Sequence, residues 1–148
     1  LIIDSLDTVG ETLGTALATF RARIEPKLSA AGMELRWSNN LPETVDGLGA
    51  REVLQIFRIV QEAVTNVIKH AHSETIDIDI GTDDAGAITI AIADEGTGIG
   101  TSQGGGHGME NMQARAEAIG GSIQVNSSEQ GSTVTLIVLL KPVANDAL

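Results

Sequence analysis

Residues 75–80, "TIDIDI", and 87–93, "AITIAIA", both repeat with a period of two, and only the turn-forming "GTDDAG" separates them. This pattern predicts a β-hairpin in which each strand buries one face. A second pair follows near the end: "SIQVNS" and "STVTLIVLL", joined by "SEQG", read as another hairpin. Two such hairpins exclude a doubly wound parallel sheet, which needs a crossover between successive strands.

The remaining segments add three helices and one strand. "ETLGTALATFRARIEPKL" sets Leu13, Ala16, Leu17, Phe20 and Ile24 at helical spacing. Pro26 is expected to kink or reset its last turn, and Gly32 to end it. "MELRWS" alternates from Met33 to Trp37 as a strand does, and "NNLPETVDGLGA" reads as a loop. The strongest helix covers about 51–72, and another runs from Met109 to about Ile119 and is closed by Gly120 and Gly121. The order helix, strand, helix, strand, strand, helix, strand, strand predicts an α+β fold. It is a two-layer sandwich whose mixed, mainly antiparallel sheet is covered on one face by three helices.

Composition narrows the function. A chain of 148 residues, 42% hydrophobic, is the size of one domain with its own core. With no cysteine, disulfides, thiolate metal sites and a cysteine nucleophile are excluded. Aromatic residues are limited to Phe20, Phe57 and Trp37, which leaves no platform for stacking bases. A net charge of −11 repels a phosphate backbone, so nucleic acid is not an expected partner. A compact phosphate ligand remains open to an acidic protein that concentrates a few cations and backbone N–H groups locally. No apolar run approaches the roughly 20 residues that span a bilayer, and no signal-peptide pattern opens the chain. The expected compartment is cytoplasmic and reducing, with no direct membrane contact by this domain. Because the first residue is Leu1 rather than methionine, the chain is expected to be part of a longer protein.

On a wheel of about 100° per residue, "REVLQIFRIVQEAVTNVIKHAH" gathers Val53, Ile56, Phe57, Val60, Val64, Val67, Ile68 and Ala71 on one face. Glu62, Asn66 and Lys69 fall nearly opposite in a narrow stripe, with His70 at its edge. A solvated polar face has the same pattern, and amphipathicity alone does not separate the two. The stripe nevertheless combines an acceptor that can take a proton, a neutral carbonyl oxygen suited to Mg²⁺, and a point charge suited to phosphate.

The second hairpin strand of 75–93 leads directly into "DEGTGIGTSQGGGHGMENM" (94–112). A carboxylate at the end of a buried strand needs hydrogen-bond donors, and the exocyclic amine of a purine is one. Glycines just beyond it let the backbone approach a flat ring. No Gly-Lys-Ser/Thr triplet is present, so this is not a P-loop, and the gap before the next helix does not fit a dinucleotide fingerprint. "GGGHGM" instead leads into a helix N-terminus, which favours an anion. A flexible surface loop would carry the same glycines.

Three motifs in order are more specific than any one. "QEAVTNVIKHA", "DEGTGIG" and "GHGMENMQARAEAIGG" resemble the N-box and the two glycine boxes of the catalytic ATP-binding domain of sensor histidine kinases. The spacing is similar to the short-lid subfamily of nitrate and desaturase sensors, and no phenylalanine box lies between the glycine boxes. The opening helix and strand and the closing hairpin, "GSTVTLIVLL", also resemble that domain, so the likeness covers nearly the whole chain.

The resemblance implies the left-handed, Bergerat-type ATP-binding sandwich of the GHKL superfamily, shared with DNA gyrase, with ATP and Mg²⁺ as cofactors. By its motifs Glu62 corresponds to the general base and Asn66 to the Mg²⁺ ligand, with Lys69 and His70 facing the phosphates and ribose. Asp94 corresponds to the adenine reader, with Gly96, Gly98 and Ile99 lining the base pocket. Gly106, His107, Gly108 and Met109 correspond to the lid hinge and the helix start under the phosphates, and Thr133 to a threonine near the adenine.

One departure matters. The histidines are His70, His72 and His107, all in or beside these boxes, so the phosphoacceptor histidine is missing. The expected division is therefore 1–10 as the tail of a dimerisation hairpin, 11–142 as the catalytic domain and 143–148 as a frayed tail. The implied partners are that phosphoacceptor domain, in cis or in trans, and a response regulator served by the full-length kinase; the isolated domain is expected to be a monomer. A stand-alone anti-sigma-factor-type serine kinase and a non-catalytic ATP-binding module are the competing expectations.

Overall fold

The computed structural model describes residues 13–42, 45, 47–96 and 108–140. The expected segments 1–10 and 143–148 lie outside them. The first helix, α1 (Leu13–Ala30), buries Leu13, Leu17, Phe20, Ile24 and Leu28 along one stripe. Pro26 does not end it. The helix runs on for another turn because Leu28, beyond the proline, is fully packed and the terminus is closed. The Met33 N–H donates to the Leu28 carbonyl and the Gly32 N–H to the Ser29 carbonyl, with Gly32 at φ +77°. This is a Schellman closure, with the buried pair Met33 and Leu28 as its apolar contact.

Strand β1 (Glu34–Asn39) follows, then α2 (Ala50–Asn66), β2 (Thr75–Thr82), β3 (Ile88–Asp94), α3 (Gly108–Ala118), β4 (Gly121–Ser128) and β5 (Gly131–Val138). At the start of α2 the Gly49 N–H donates to Glu52 Oε1 at 2.9 Å, the backbone half of a capping box. In the β2–β3 turn, Asp83 Oδ1 accepts from the N–H groups of Ala85 and Ala87, and Gly86 takes φ +87°.

Among the described residues the sheet has five strands in the order β1-β2-β3-β5-β4. β1 is parallel to β2, and the other pairs are antiparallel, as the two hairpins require. Register aligns Ile78 with Ile92 and Val134, and Ile80 with Ile90 and Leu136, on one face. That face is buried and packs against the apolar stripes of α1, α2 and α3. Phe20 and Phe57 meet edge to face at 5.6 Å, joining α1 to α2. The expected mixed sheet under three helices is therefore the observed architecture. Among the described residues, no helix is long and apolar enough to cross a membrane.

Candidate functional site

Asp94 is the last residue of β3 and continues the helix-facing row of Ile88, Ile90 and Ile92. Its register neighbours are Ile76 on β2 and Ser132 on β5. Asp94 is only 6% exposed. Its Oδ1 accepts from the Gly96 N–H at 2.9 Å, and the backbone N–H of Ser132 also donates to it. Burial raises its pKa above the ordinary carboxylate value, and these two amide bonds only partly oppose that shift. A carboxylate has about four lone-pair positions, so two backbone donors leave acceptor capacity for a ligand N–H.

Glu62 and Asn66 stand one turn apart on α2 and are both half-buried. The expected position nearly opposite the core needs correction. Ile59 and Ala63 are buried as well, which widens the apolar arc beyond the face predicted from the wheel. Asn66 lies seven residues after Ile59 and three after Ala63, so it borders that arc. The stripe runs along the margin of the core, because α2 packs against α1, α3 and β3 together.

The end of this helix also departs from a single regular wheel. Val67–Ala71 forms a π-helical turn, closed by His72 in the left-handed conformation at φ 52°. A π turn advances less per residue, so Lys69 and His70 are rotated away from the positions that 3.6-residue spacing assigns them. Both are exposed, and the Lys69 ammonium is placed to offset the negative end of the α2 dipole.

Helix α3 begins at Gly108, and the half-buried Met109 packs against the core. Arg115 Nη1 donates to Gln55 Oε1 at 3.0 Å and ties α3 to α2, seven residues before Glu62. Gly96 is buried beside Asp94. Gly98, Ile99, Gly106 and His107, and the expected lid at 101–105, lie outside the described residues.

At the sheet end, Thr133 pairs with Ala93 and alternates onto the face away from the helices. Ser132, which sequence reasoning passed over, is the residue opposite Asp94 and is 3% exposed. Gly131, at φ +139°, was also missed, and it touches the Asp94–Glu95 backbone. The alternation of "STVTLIV" could have found Ser132, because it shares a face with Val134 and Leu136.

Among the described residues, the aliphatic sheet face ends in one buried acid, Asp94, and the helix packed against that sheet carries Glu62 and Asn66 at its margin, which defines a class of two-layer α/β sandwich. The histidine kinase domain of the Erythrobacter litoralis EL346 blue-light activated histidine kinase has this fold. Its TM-score is 0.75 at 19% identity, over 87% of this chain and 65% of that one. Full-length ShkA, solved in complex with AMPPNP, matches with a TM-score of 0.72 at 18% identity, over 88% of this chain and 30% of that one. The model of the family described as Histidine kinase-, DNA gyrase B-, and HSP90-like ATPase matches residues 52–142, and the chain belongs to that family. The sensor histidine kinase MctS of Rhizobium johnstonii is 31% identical over 123 residues, 80% of this chain and 24% of that protein. The chain spans between 16% and 28% of the length of the curated relatives compared with it.

Proposed function

We propose that this chain is the ATP-binding catalytic domain of a sensor histidine kinase. It passes the γ-phosphoryl group of ATP to a histidine on a separate dimerisation domain, for onward transfer to a response regulator. The observation that carries this reading is the buried Asp94 carboxylate, held by backbone amides at the end of an aliphatic face. Adenine offers that acceptor an exocyclic N–H₂, with Gly96 close enough to admit the ring. Gly98, Ile99 and Ser132, the residue opposite Asp94, complete the base pocket in this reading.

The phosphates extend toward Asn66, Lys69 and His70, and toward the N-terminus of α3 at Gly108 and Met109, with Gly106 and His107 of the same motif assigned to them by the resemblance. Among the described residues, no group of three or more His, Cys, Asp or Glu side chains could cage a metal. Mg²⁺ needs no such cage, because it takes most of its ligands from phosphates and water. Asn66 would supply the protein oxygen, and the ion, when bound, would neutralise phosphate charge. Glu62 accepts the proton that the phosphoacceptor imidazole sheds as its other nitrogen attacks phosphorus. ADP leaves, and positioning and charge account for most of the acceleration. ATP supply puts the domain on the cytoplasmic side of any membrane.

The test is a titration with a non-hydrolysable ATP analogue, with and without Mg²⁺, on the wild type, Asp94→Asn and Asn66→Ala. The expected result is Mg²⁺-enhanced binding that Asp94→Asn abolishes and whose Mg²⁺ dependence Asn66→Ala removes. Equal binding by all three proteins would sink the reading. Adding a phosphoacceptor hairpin should then yield acid-labile phosphohistidine, whereas acid-stable phosphoserine on an antagonist protein would point to a serine kinase.

A further inference from the structure

Ser73 lies outside all three boxes, in the short link between the π-helical turn and β2. Its hydroxyl is fully engaged. Oγ donates to the Thr75 carbonyl at 2.7 Å, and accepts from the Thr75 N–H at 3.2 Å and the Glu95 N–H at 3.0 Å. A serine has one proton and two lone pairs, so no capacity remains for solvent.

The bond to Glu95 crosses 22 residues of sequence. The β2–β3 ladder ends at the pair Ile76 and Asp94, and Glu95 is the first residue after β3. Its N–H therefore meets the Ser73 side chain where the strand ladder stops. Toward the N-terminus, only His72 separates Ser73 from the turn that carries Lys69 and His70. His72 holds the left-handed conformation at φ 52°, so the link turns sharply and brings Ser73 over the end of β3.

We infer that Ser73 is a positioning residue that locks the adenine-facing Asp94–Gly96 turn to the phosphate-facing end of α2. One hydroxyl thus sets the distance between the two ends of the nucleotide site, and keeps Asp94 oriented before ligand arrives. This inference rests on the ATP-site reading above.

The experiment uses the full 148-residue chain, as wild type, Ser73→Ala and Ser73→Thr. An ATP analogue is titrated, and amide exchange at Glu95 is followed by NMR without ligand. The loss of one net hydrogen bond predicts roughly three- to tenfold weaker binding for Ser73→Ala. Exchange at Glu95 should quicken while the Ile90 and Ile92 amides keep their protection, and Ser73→Thr should restore both properties. Unchanged Glu95 exchange in Ser73→Ala overturns the inference whether or not nucleotide binds. Wild-type-like affinity in Ser73→Ala overturns it while leaving the ATP site standing. A general loss of protection that threonine does not rescue assigns Ser73 a structural role only, and also overturns it. If the wild type binds no nucleotide, the ATP-site reading fails and the positioning role falls with it.

Discussion

Gly131 lies against Asp94 so closely that a β-carbon built on it would collide with the Asp94 carbonyl oxygen and come within 2.9 Å of Glu95 Cα. Its φ of +139° is also one that L side chains rarely adopt. Gly131→Ala must therefore strain β5 or displace the Asp94 turn. The expected effect is a loss of about 2–4 kcal/mol in unfolding free energy, with weaker binding of ATP analogues by the folded fraction. Denaturant melts and nucleotide titration check it, and an unchanged melt would refute the close approach.

Asp94 carries a charge that the fold does not favour. Its folded-state pKa is raised, by burial first, so the native state holds more protons than the unfolded chain between the ordinary carboxylate pKa and the raised one. Its stabilising contribution is complete below the ordinary value and is lost as pH rises through the folded value. Asp94→Asn removes that loss and keeps an oxygen able to accept from the Gly96 N–H. At neutral pH the apo variant should melt no lower than wild type while failing to bind adenine nucleotides. A clear drop in apo stability would contradict this account.

Glu62→Gln keeps the shape of the half-buried side chain but removes the proton acceptor. Phosphohistidine formation on an added phosphoacceptor hairpin should fall by roughly 10²- to 10⁴-fold. ATP-analogue affinity should change little, because glutamine preserves packing beside Asn66. Single-turnover phosphotransfer together with a binding titration separates the two quantities. Equal losses in both would assign Glu62 to binding instead.

Ile90 is fully buried at the centre of the sheet, between Ile80 and Leu136 in register. Ile90→Ala leaves a cavity that neighbouring strands cannot close, with an expected loss of about 2–5 kcal/mol. Chemical denaturation measures it, and a loss below about 1 kcal/mol would show that the core repacks.

Much of this fold was legible in the chain. The alternation of "TIDIDI" and "AITIAIA" specified β2 and β3, and "GTDDAG" specified their hairpin. Gly32 and Gly120 marked the ends of α1 and α3, each in the positive-φ conformation that helix closure uses. The box motifs put Glu62, Asn66 and Asp94 on the candidate site, and the family match covers them. These features are local: a strand or helix shows its own period, and a turn shows its own glycine.

The rest depended on which residues distant elements bring together. Ile59 and Ala63 are buried because α2 has neighbours on several sides, which moves Asn66 to the core margin. Register opposite Asp94 puts Ser132, and not Thr133, on the buried face. The π-helical turn redirects Lys69 and His70, and the Ser73 hydroxyl reaches Glu95 across the end of the ladder. By itself the sequence determined the elements, their turns and the chemistry carried by each motif, since periodicity is a property of each segment alone. Tertiary structure alone decided how far α2 is buried and which serine, glycine and hydroxyl surround Asp94, because register and packing arise between segments.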